Sequence, residues 1–184
     1  MKRVMIVGLP GSGKSWLARR MGVRTGLPVH HMDRVHWLPG WVARERDAKI
    51  ALAHDIESSD RWILEGYFSA TFSHRLSRAD TLVILDMPFP LRVWRVFRRT
   101  LTGYGKTRAE LPENCPERFD AEFWSYIWRT RNLARRRILD LPAAAGSGVD
   151  VHVLCSRRAV MNFLNHLDLP EESGHDAHHG TPAH

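Results

Sequence analysis

A glycine-rich segment that directly follows an unbroken apolar run constrains the fold of this chain more than any other feature. Residues 4–7 read Val-Met-Ile-Val, which is typical of a fully buried strand, and residues 8–15 read Gly-Leu-Pro-Gly-Ser-Gly-Lys-Ser. From Ser15 to Met21 the apolar residues recur at helical spacing. The sequence therefore predicts a strand, a tight loop and a helix in immediate succession, the start of an α/β unit.

The loop has the pattern G-x-x-x-x-G-K-S of a P-loop, and each of its parts is suited to phosphate. The glycines let successive backbone N–H groups converge on one anion at the positive end of the following helix. A lysine at the position of Lys14 reaches the terminal phosphates, and a serine at the position of Ser15 places its hydroxyl on Mg²⁺. We therefore expect ATP or GTP, together with Mg²⁺, to bind at Gly8, Leu9, Pro10, Gly11, Ser12, Gly13, Lys14 and Ser15.

The rest of the chain alternates apolar runs with segments of helical periodicity. The predicted strands cover residues 2–7, 29–32, 61–64, 81–85 and 149–154, and the predicted helices cover residues 15–21, 47–57, 91–100, 123–139 and 159–167. Because strands that alternate with helices and are continuously apolar form parallel sheets covered on both faces, we expect an α/β three-layer sandwich with a five-stranded parallel sheet.

Composition divides the chain into one domain and a tail. Residues 1–168 are predicted to form a single domain, in which the segment 102–120, rich in glycine, proline and charge, is a mobile lid. Residues 169–184 contain proline, glycine, glutamate and histidine without an apolar face, so we expect a disordered tail. The tail histidines are open to adventitious metal binding, but a dispensable tail is the favoured interpretation.

Charge and cysteine content restrict the function classes. The net charge of +7 fits either a nucleic-acid partner or an enzyme that binds anionic small molecules, and we favour the second. The two cysteines are forty positions apart without a CxxC pair, which argues against a disulfide framework and a zinc knuckle. With no apolar run near ~20 residues and no signal peptide, we expect a cytoplasmic protein without membrane contact.

Several short motifs resemble those of the adenylate-kinase-like P-loop kinases, a group that includes shikimate and gluconate kinases. Within this group the chain is similar to the bacterial topology modulation protein family. The residues that carry the resemblance are the P-loop, Thr25-Gly26-Leu27-Pro28, Asp33, Trp37, Trp62-Ile63-Leu64-Glu65-Gly66, Leu85-Asp86-Met87-Pro88, Gly105-Lys106-Thr107-Arg108 and Cys115-Pro116-Glu117-Arg118-Phe119-Asp120. The resemblance implies a P-loop NTPase fold with a helical lid, and an enzyme that transfers phosphoryl groups.

The resemblance also implies a set of arginines around the transferred phosphoryl group. Arg95 and Arg99 follow Asp86 by nine and thirteen positions, as in the adenylate-kinase pattern, and a guanidinium fork suits delocalised phosphate charge. Arg118, Asp120 and Arg129 match the arginines and the aspartate at the end of the lid. Arg108 is a weaker candidate of the same kind, and a solvated helix face is the alternative for each arginine.

Acidic residues at strand ends are the candidates for the metal and the acceptor. Glu65 ends a predicted strand beside the P-loop, where it can orient Mg²⁺ together with Ser15. Asp33 occupies the position from which shikimate-type kinases hold the acceptor hydroxyl, so it is the candidate base for an alcohol acceptor. His36 and Trp37 lie on the same acceptor edge, where either substrate contact or packing explains them.

The sequence thus predicts an ATP-dependent phosphotransferase of the nucleoside, nucleotide or small-molecule kinase type, with Lys14, Asp33, Arg95, Arg99 and Arg129 as catalytic residues. A nucleic-acid-binding NTPase and a nucleotide-dependent regulatory protein are the alternatives. The sequence does not name the acceptor.

Overall fold

A five-stranded parallel sheet forms the centre of the computed structural model, which describes residues 1–167. Its strands are β1 (Arg3–Gly8), β2 (Val29–His31), β5 (Trp62–Glu65), β6 (Thr81–Leu85) and β7 (Asp150–Leu154), in the spatial order β2-β5-β1-β6-β7. Parallel pairing places the carboxyl end of β1 beside those of β5 and β6, with Ile6 opposite Glu65 and Gly8 opposite Leu85. The predicted three-layer α/β sandwich with five parallel strands is confirmed.

Helices cover both faces of the sheet. They are α1 (Lys14–Thr25), α2 (Met32–His36), α3 (Arg46–Ser58), α4 (Phe72–Arg78), α5 (Phe89–Thr102), α6 (Ala121–Leu139), α7 (Leu141–Ala144) and α8 (Arg157–Asn165). One apolar core joins the sheet to α3, α4 and α6, and a second joins its other face to α1 and α8. The central strands β1, β5 and β6 are buried almost throughout, which is why their sequences are continuous apolar runs.

Several structured parts of the chain were not predicted from the sequence, among them the short helix α7. Helix α2 begins directly after β2, so Asp33 lies in a helix and not at the end of a strand as predicted. A small antiparallel hairpin follows, with β3 (Trp37–Leu38) paired to β4 (Val42–Ala43). Helix α4 occupies residues for which no element was predicted.

The predicted lid corresponds to the connection between α5 and α6. Residues 103–120 contain turns and two isolated bridges, Tyr104 with Glu117 and Thr107 with Pro116, and the helical part is supplied by the two helices that frame them. Helix α6 begins where the Asp120 carboxylate accepts hydrogen bonds from the backbone N–H groups of Glu122 and Phe123, at 2.9 and 3.1 Å. The predicted tail, residues 169–184, lies outside the described residues.

Within residues 1–167, every helix is too short or too polar to serve as a membrane span.

Candidate active site

The P-loop leaves β1 at Gly8 and curls back before α1 begins at Lys14. Gly11 and Gly13 have φ angles of 78° and 98°, in the left-handed region that favours glycine, and the Ser12 N–H donates to the Leu9 carbonyl at 3.1 Å. Gly13 caps α1 without any side-chain hydrogen bond, so among residues 1–167 no side chain occupies the N–H groups of the first helical turn. This arrangement leaves convergent backbone donors for an anion.

Helix α5 supports the P-loop from one side. Arg92 is buried, its Nε donates to the Met87 carbonyl at 3.1 Å, and its Nη1 donates to the Pro10 carbonyl at 3.4 Å. A Cβ atom on Gly11 would lie 2.3 Å from the Arg92 carbonyl oxygen, so a glycine at this position is required by the close approach of α5. Sequence reasoning missed this role of Arg92, because a polar residue on an amphipathic helix suggests solvent exposure.

Arg95 binds the P-loop directly. Its Nη1 donates to the Ser12 carbonyl at 3.2 Å and lies 3.8 Å from where a Cβ on Gly13 would be. The structure thus places the Arg95 guanidinium beside the phosphate loop and the start of α1.

Glu65 faces the P-loop from the end of β5. It is buried, and its Oε1 lies 2.7 Å from Nδ1 of His31 at the end of β2. Burial alone would raise the pKa of the Glu65 carboxyl, but the His31 hydrogen bond, the charge of Lys14 and a hydrogen bond with Ser15 together hold it below its usual value. Glu65 is thus an ionised carboxylate beside Ser15, which places the two predicted metal-binding residues together.

Lys14 lies among charges of both signs. Desolvation lowers the pKa of its ammonium group, Glu65 and Asp33 oppose that shift, and Arg99 and Arg108 reinforce it. The four charges around Lys14 come from β5, α2, α5 and the lid. A concentration of cationic groups around a phosphate loop is suited to a polyanionic ligand.

One arginine of α5 and one of the lid share a buried carboxylate. Arg99 and Arg108 both form ion pairs with Oε1 of Glu117, at 3.2 and 2.5 Å, and Glu117 is 5 % exposed. Arg108 Nη2 also lies 3.9 Å from Asp33 Oδ2. The structure therefore connects the candidate acceptor carboxylate, the lid and α5 through Arg108, the residue that sequence reasoning ranked lowest.

Hydrogen bonds fasten the lid to α2 and to the β3–β4 hairpin. Arg34 in α2 donates to the Ala109 carbonyl at 2.7 Å, and the Trp41 indole donates to the Pro116 carbonyl at 3.1 Å. The buried thiol of Cys115 receives the Trp41 backbone N–H at 3.3 Å and contacts the Leu38 carbonyl at 3.6 Å. The lid is thus seen against the β3–β4 hairpin, a contact that no local sequence pattern could reveal.

His36 and Trp37 form an aromatic group beside Asp33. Trp37 meets His36 and Trp41 edge to face, with centroid distances of 5.0 and 5.3 Å. Desolvation and the nearby Lys49 lower the pKa of His36, and Asp33 only partly offsets them, so the imidazole is neutral at pH 7. Trp37 thus packs against two other rings, and its backbone N–H donates to the Asp33 carbonyl at the end of α2.

Two predicted arginines stand apart from this cluster. Arg118 is 58 % exposed and pairs with Asp120 at 3.5 Å, at the start of α6. Arg129 is exposed on α6, and within residues 1–167 it makes no ion pair or hydrogen bond. Its role stays a prediction. Asp86, directly after β6, forms a two-point ion pair with Arg135, at 2.8 and 2.7 Å.

Comparisons with known proteins identify the fold and one protein that is similar over part of the chain. No family model matches the chain. YqaC, an uncharacterized protein of Bacillus subtilis strain 168, is 28% identical over 108 residues, which cover 56% of this chain and 60% of YqaC. The chain thus matches about three fifths of the length of that relative.

Two solved structures share the architecture over almost the whole chain. An unliganded sugar kinase from Janibacter sp. HTCC2649 has a TM-score of 0.51 and 14% identity, covering 92% of this chain and 96% of its own. Shikimate kinase from Aquifex aeolicus has a TM-score of 0.53 and 15% identity, covering 89% and 94%. The chain has the fold of these P-loop kinases, whereas membership of the topology modulation family stays a prediction.

Proposed function

We propose that the protein is a phosphotransferase that moves the γ-phosphoryl group of ATP or GTP, bound with Mg²⁺, to a small acceptor. The observation that carries the proposal is the grouping around Lys14 of two carboxylates, Glu65 and Asp33, and of the arginines Arg99 and Arg108. A P-loop that only held a nucleotide would need the first carboxylate. The second carboxylate and the arginines suit a reaction with another substrate.

The nucleotide side of the proposal rests on the donor set. The uncapped first turn of α1, the left-handed Gly11 and Gly13 and the buried Ser12 hydroxyl, which has no partner within residues 1–167, fit a triphosphate in the loop of residues 8–15. Ser15 and Glu65 would hold Mg²⁺, an ion that prefers oxygen ligands, with the carboxylate acting directly or through bound water. When bound, Mg²⁺ and the nucleotide supply the transferable phosphoryl group and neutralise part of its charge.

The arginines would stabilise charge during transfer. Arg95 is held by the Ser12 carbonyl, so its guanidinium is pre-positioned beside the P-loop. Glu117 orients Arg99 and Arg108 through its ion pairs. The two guanidinium groups could therefore bind the transferring phosphoryl group without reorganisation of the lid. Arg129, on the exposed side of α6, would join them only when the lid and α6 draw closer.

The acceptor would bind between Asp33, the aromatic group of His36 and Trp37, and the lid. Asp33 is half exposed, so it is open to a substrate hydroxyl, and as an ionised carboxylate it would accept the proton of an alcohol. If the acceptor is a nucleoside monophosphate, its attacking oxygen is already anionic and Asp33 serves for orientation. The lid contacts of Arg34 and Trp41 would exclude water from this space.

Thermal-shift screening tests the proposal and identifies the acceptor class. Nucleosides, nucleotides and hydroxy acids are added singly in the presence of a non-hydrolysable ATP analogue and Mg²⁺. A ligand that binds the folded state at 100-fold above its Kd stabilises it by about 2.7 kcal/mol, which is a readily measured shift. We expect a shift from one class that disappears in Asp33→Ala. Shifts from nucleic acid alone would favour the nucleic-acid-binding NTPase instead.

A further inference from the structure

A pair of histidines, one from α3 and one from α4, lies where these two helices pack together. The rings of His54 and His74 have a centroid distance of 4.1 Å and an interplanar angle of 38°, and both side chains are half buried. Glu57 follows His54 by one helical turn and is completely buried beside them. We propose that His54 and His74, together with Glu57, form a binding site for a transition-metal ion of the Zn²⁺ class.

The ligand atoms are already close enough for one ion. One nitrogen from each imidazole and one carboxylate oxygen of Glu57 all lie within 4.8 Å of one another. Zinc holds imidazole nitrogen and carboxylate oxygen at about 2.0–2.2 Å, so the ligands of one ion are separated by roughly 3–4 Å. Small side-chain rotations would bring the three groups to that separation, and both histidines are only partly buried.

Glu57 and Arg75 pre-organise the site. Oε2 of Glu57 lies 2.6 Å from Nδ1 of His74, so a bound ion would take the place of the proton that joins these two atoms. The other oxygen, Oε1, accepts a hydrogen bond from Nε of the buried Arg75 at 3.0 Å. Arg75 is held in turn by the Gly66 carbonyl and the Thr71 hydroxyl, at 3.1 and 2.9 Å. The carboxylate is therefore fixed in place before any ion arrives.

The donor set determines which ions fit. Two neutral imidazoles favour Zn²⁺, Ni²⁺, Co²⁺ and Cu²⁺, whereas Mg²⁺ prefers oxygen ligands, so this site is chemically distinct from that of Ser15 and Glu65. The positive charge of Arg75 is balanced by Glu57, and Arg78 directs its guanidinium to the backbone carbonyls of Glu57 and Ser58. An added cation thus meets one carboxylate beside two guanidinium groups, which implies moderate and not extreme affinity.

Zinc titration of the full chain tests the site. Zn²⁺ is added in competition with a chromogenic chelator, without nucleotide, to the wild type, to His54→Ala and to the control His166→Ala. Within residues 1–167 the His54 imidazole makes no hydrogen bond, so its removal leaves the fold intact, and His166 is an exposed histidine outside the cluster. We expect His54→Ala to lose one bound Zn²⁺ per chain, or to bind it at least tenfold more weakly, while His166→Ala matches the wild type.

Histidines of the segment 169–184 are a second source of zinc binding in the full chain. A second measurement separates that source from the site of His54 and His74. Thermal denaturation with and without Zn²⁺ is compared for the wild type, His54→Ala, His74→Asn and the double variant His178→Ala/His179→Ala. A zinc-dependent rise in Tm that persists in the double variant and disappears in His54→Ala and His74→Asn supports the site. Equal zinc stoichiometry, affinity and Tm shift in the wild type and His54→Ala would overturn it.

Discussion

Replacing Gly11 with alanine probes the contact between the P-loop and α5. Gly11 has a φ of 78°, and an L residue in that region costs roughly 1–2 kcal/mol. In addition, the new Cβ would lie 2.3 Å from the Arg92 carbonyl oxygen, whereas real Cβ contacts below 3.0 Å are essentially never seen, so α5 or the loop must retreat by at least 0.7 Å.

That retreat strains the hydrogen bonds which anchor Arg92 to the loop. The Arg92 guanidinium bonds to the Met87 and Pro10 carbonyls, and each bond contributes about 0.5–1.5 kcal/mol. We therefore expect Gly11→Ala to lower the free energy of unfolding by about 2–4 kcal/mol and to weaken nucleotide binding, because the loop that presents its N–H groups is displaced.

Gly26→Ala is the matched control. Gly26 also has a left-handed φ, of 64°, but nothing lies within 4 Å of its hypothetical Cβ, so the variant carries the backbone cost alone, about 1–2 kcal/mol. Urea denaturation gives the free energy of unfolding of both variants, and calorimetric titration with an ATP analogue gives their affinity. If Gly11→Ala matched Gly26→Ala in stability and nucleotide affinity, the close approach of α5 would have no energetic consequence and the reasoning would fail.

Three further outcomes are expected. The pKa of Glu65 is lowered in the folded state, so its ionised form stabilises the fold above the ordinary carboxyl pKa. This contribution to the free energy of unfolding disappears as the pH falls through the lowered pKa. In urea titrations, the difference in unfolding free energy between the wild type and Glu65→Gln should therefore be smaller at pH 3 than at pH 7. Trp41→Phe removes the indole bond to the Pro116 carbonyl and should expose the lid to limited proteolysis, with a loss of about 0.5–1.5 kcal/mol in unfolding free energy; unchanged cleavage rates would contradict the role of Trp41 in holding the lid. Asp33→Asn should reduce kcat by about 10²–10⁴-fold with an alcohol acceptor, and leave nucleotide affinity near that of the wild type, whereas loss of nucleotide binding would assign Asp33 to the donor side.

The sheet and the P-loop were predictable because their signals are local. Strands such as β6 are buried on both faces, so they appear as continuous apolar runs, and the P-loop pattern requires glycines for backbone reasons that hold in any context. Glu65 was predicted as a site residue from its position after a strand, since the carboxyl ends of parallel strands meet at one edge of the sheet. Asp33 was predicted through the resemblance to shikimate-type kinases, and it lies in α2 and not at a strand end.

The missing elements depend on contacts distant in sequence. Helix α2 and the β3–β4 hairpin are too short to show periodicity, and Trp41, with a φ of 63°, is held in an unusual conformation by its contacts with residues 115 and 116 of the lid. Glu117 is identified as the carboxylate that orients Arg99 and Arg108 only when α5 and the lid are seen together. The proposed metal site of His54 and His74 joins two helices whose relation no sequence motif describes.

Acceptor-dependent phosphoryl transfer is the most direct test of the proposed function. The wild type and Lys14→Ala are incubated with γ-labelled ATP, Mg²⁺ and the acceptor class that stabilises the fold, and the labelled products are separated. We expect the wild type to yield labelled acceptor, and Lys14→Ala to give none while keeping the wild-type circular dichroism spectrum. Labelled inorganic phosphate as the sole product, or equal transfer by Lys14→Ala, would contradict a P-loop phosphotransferase.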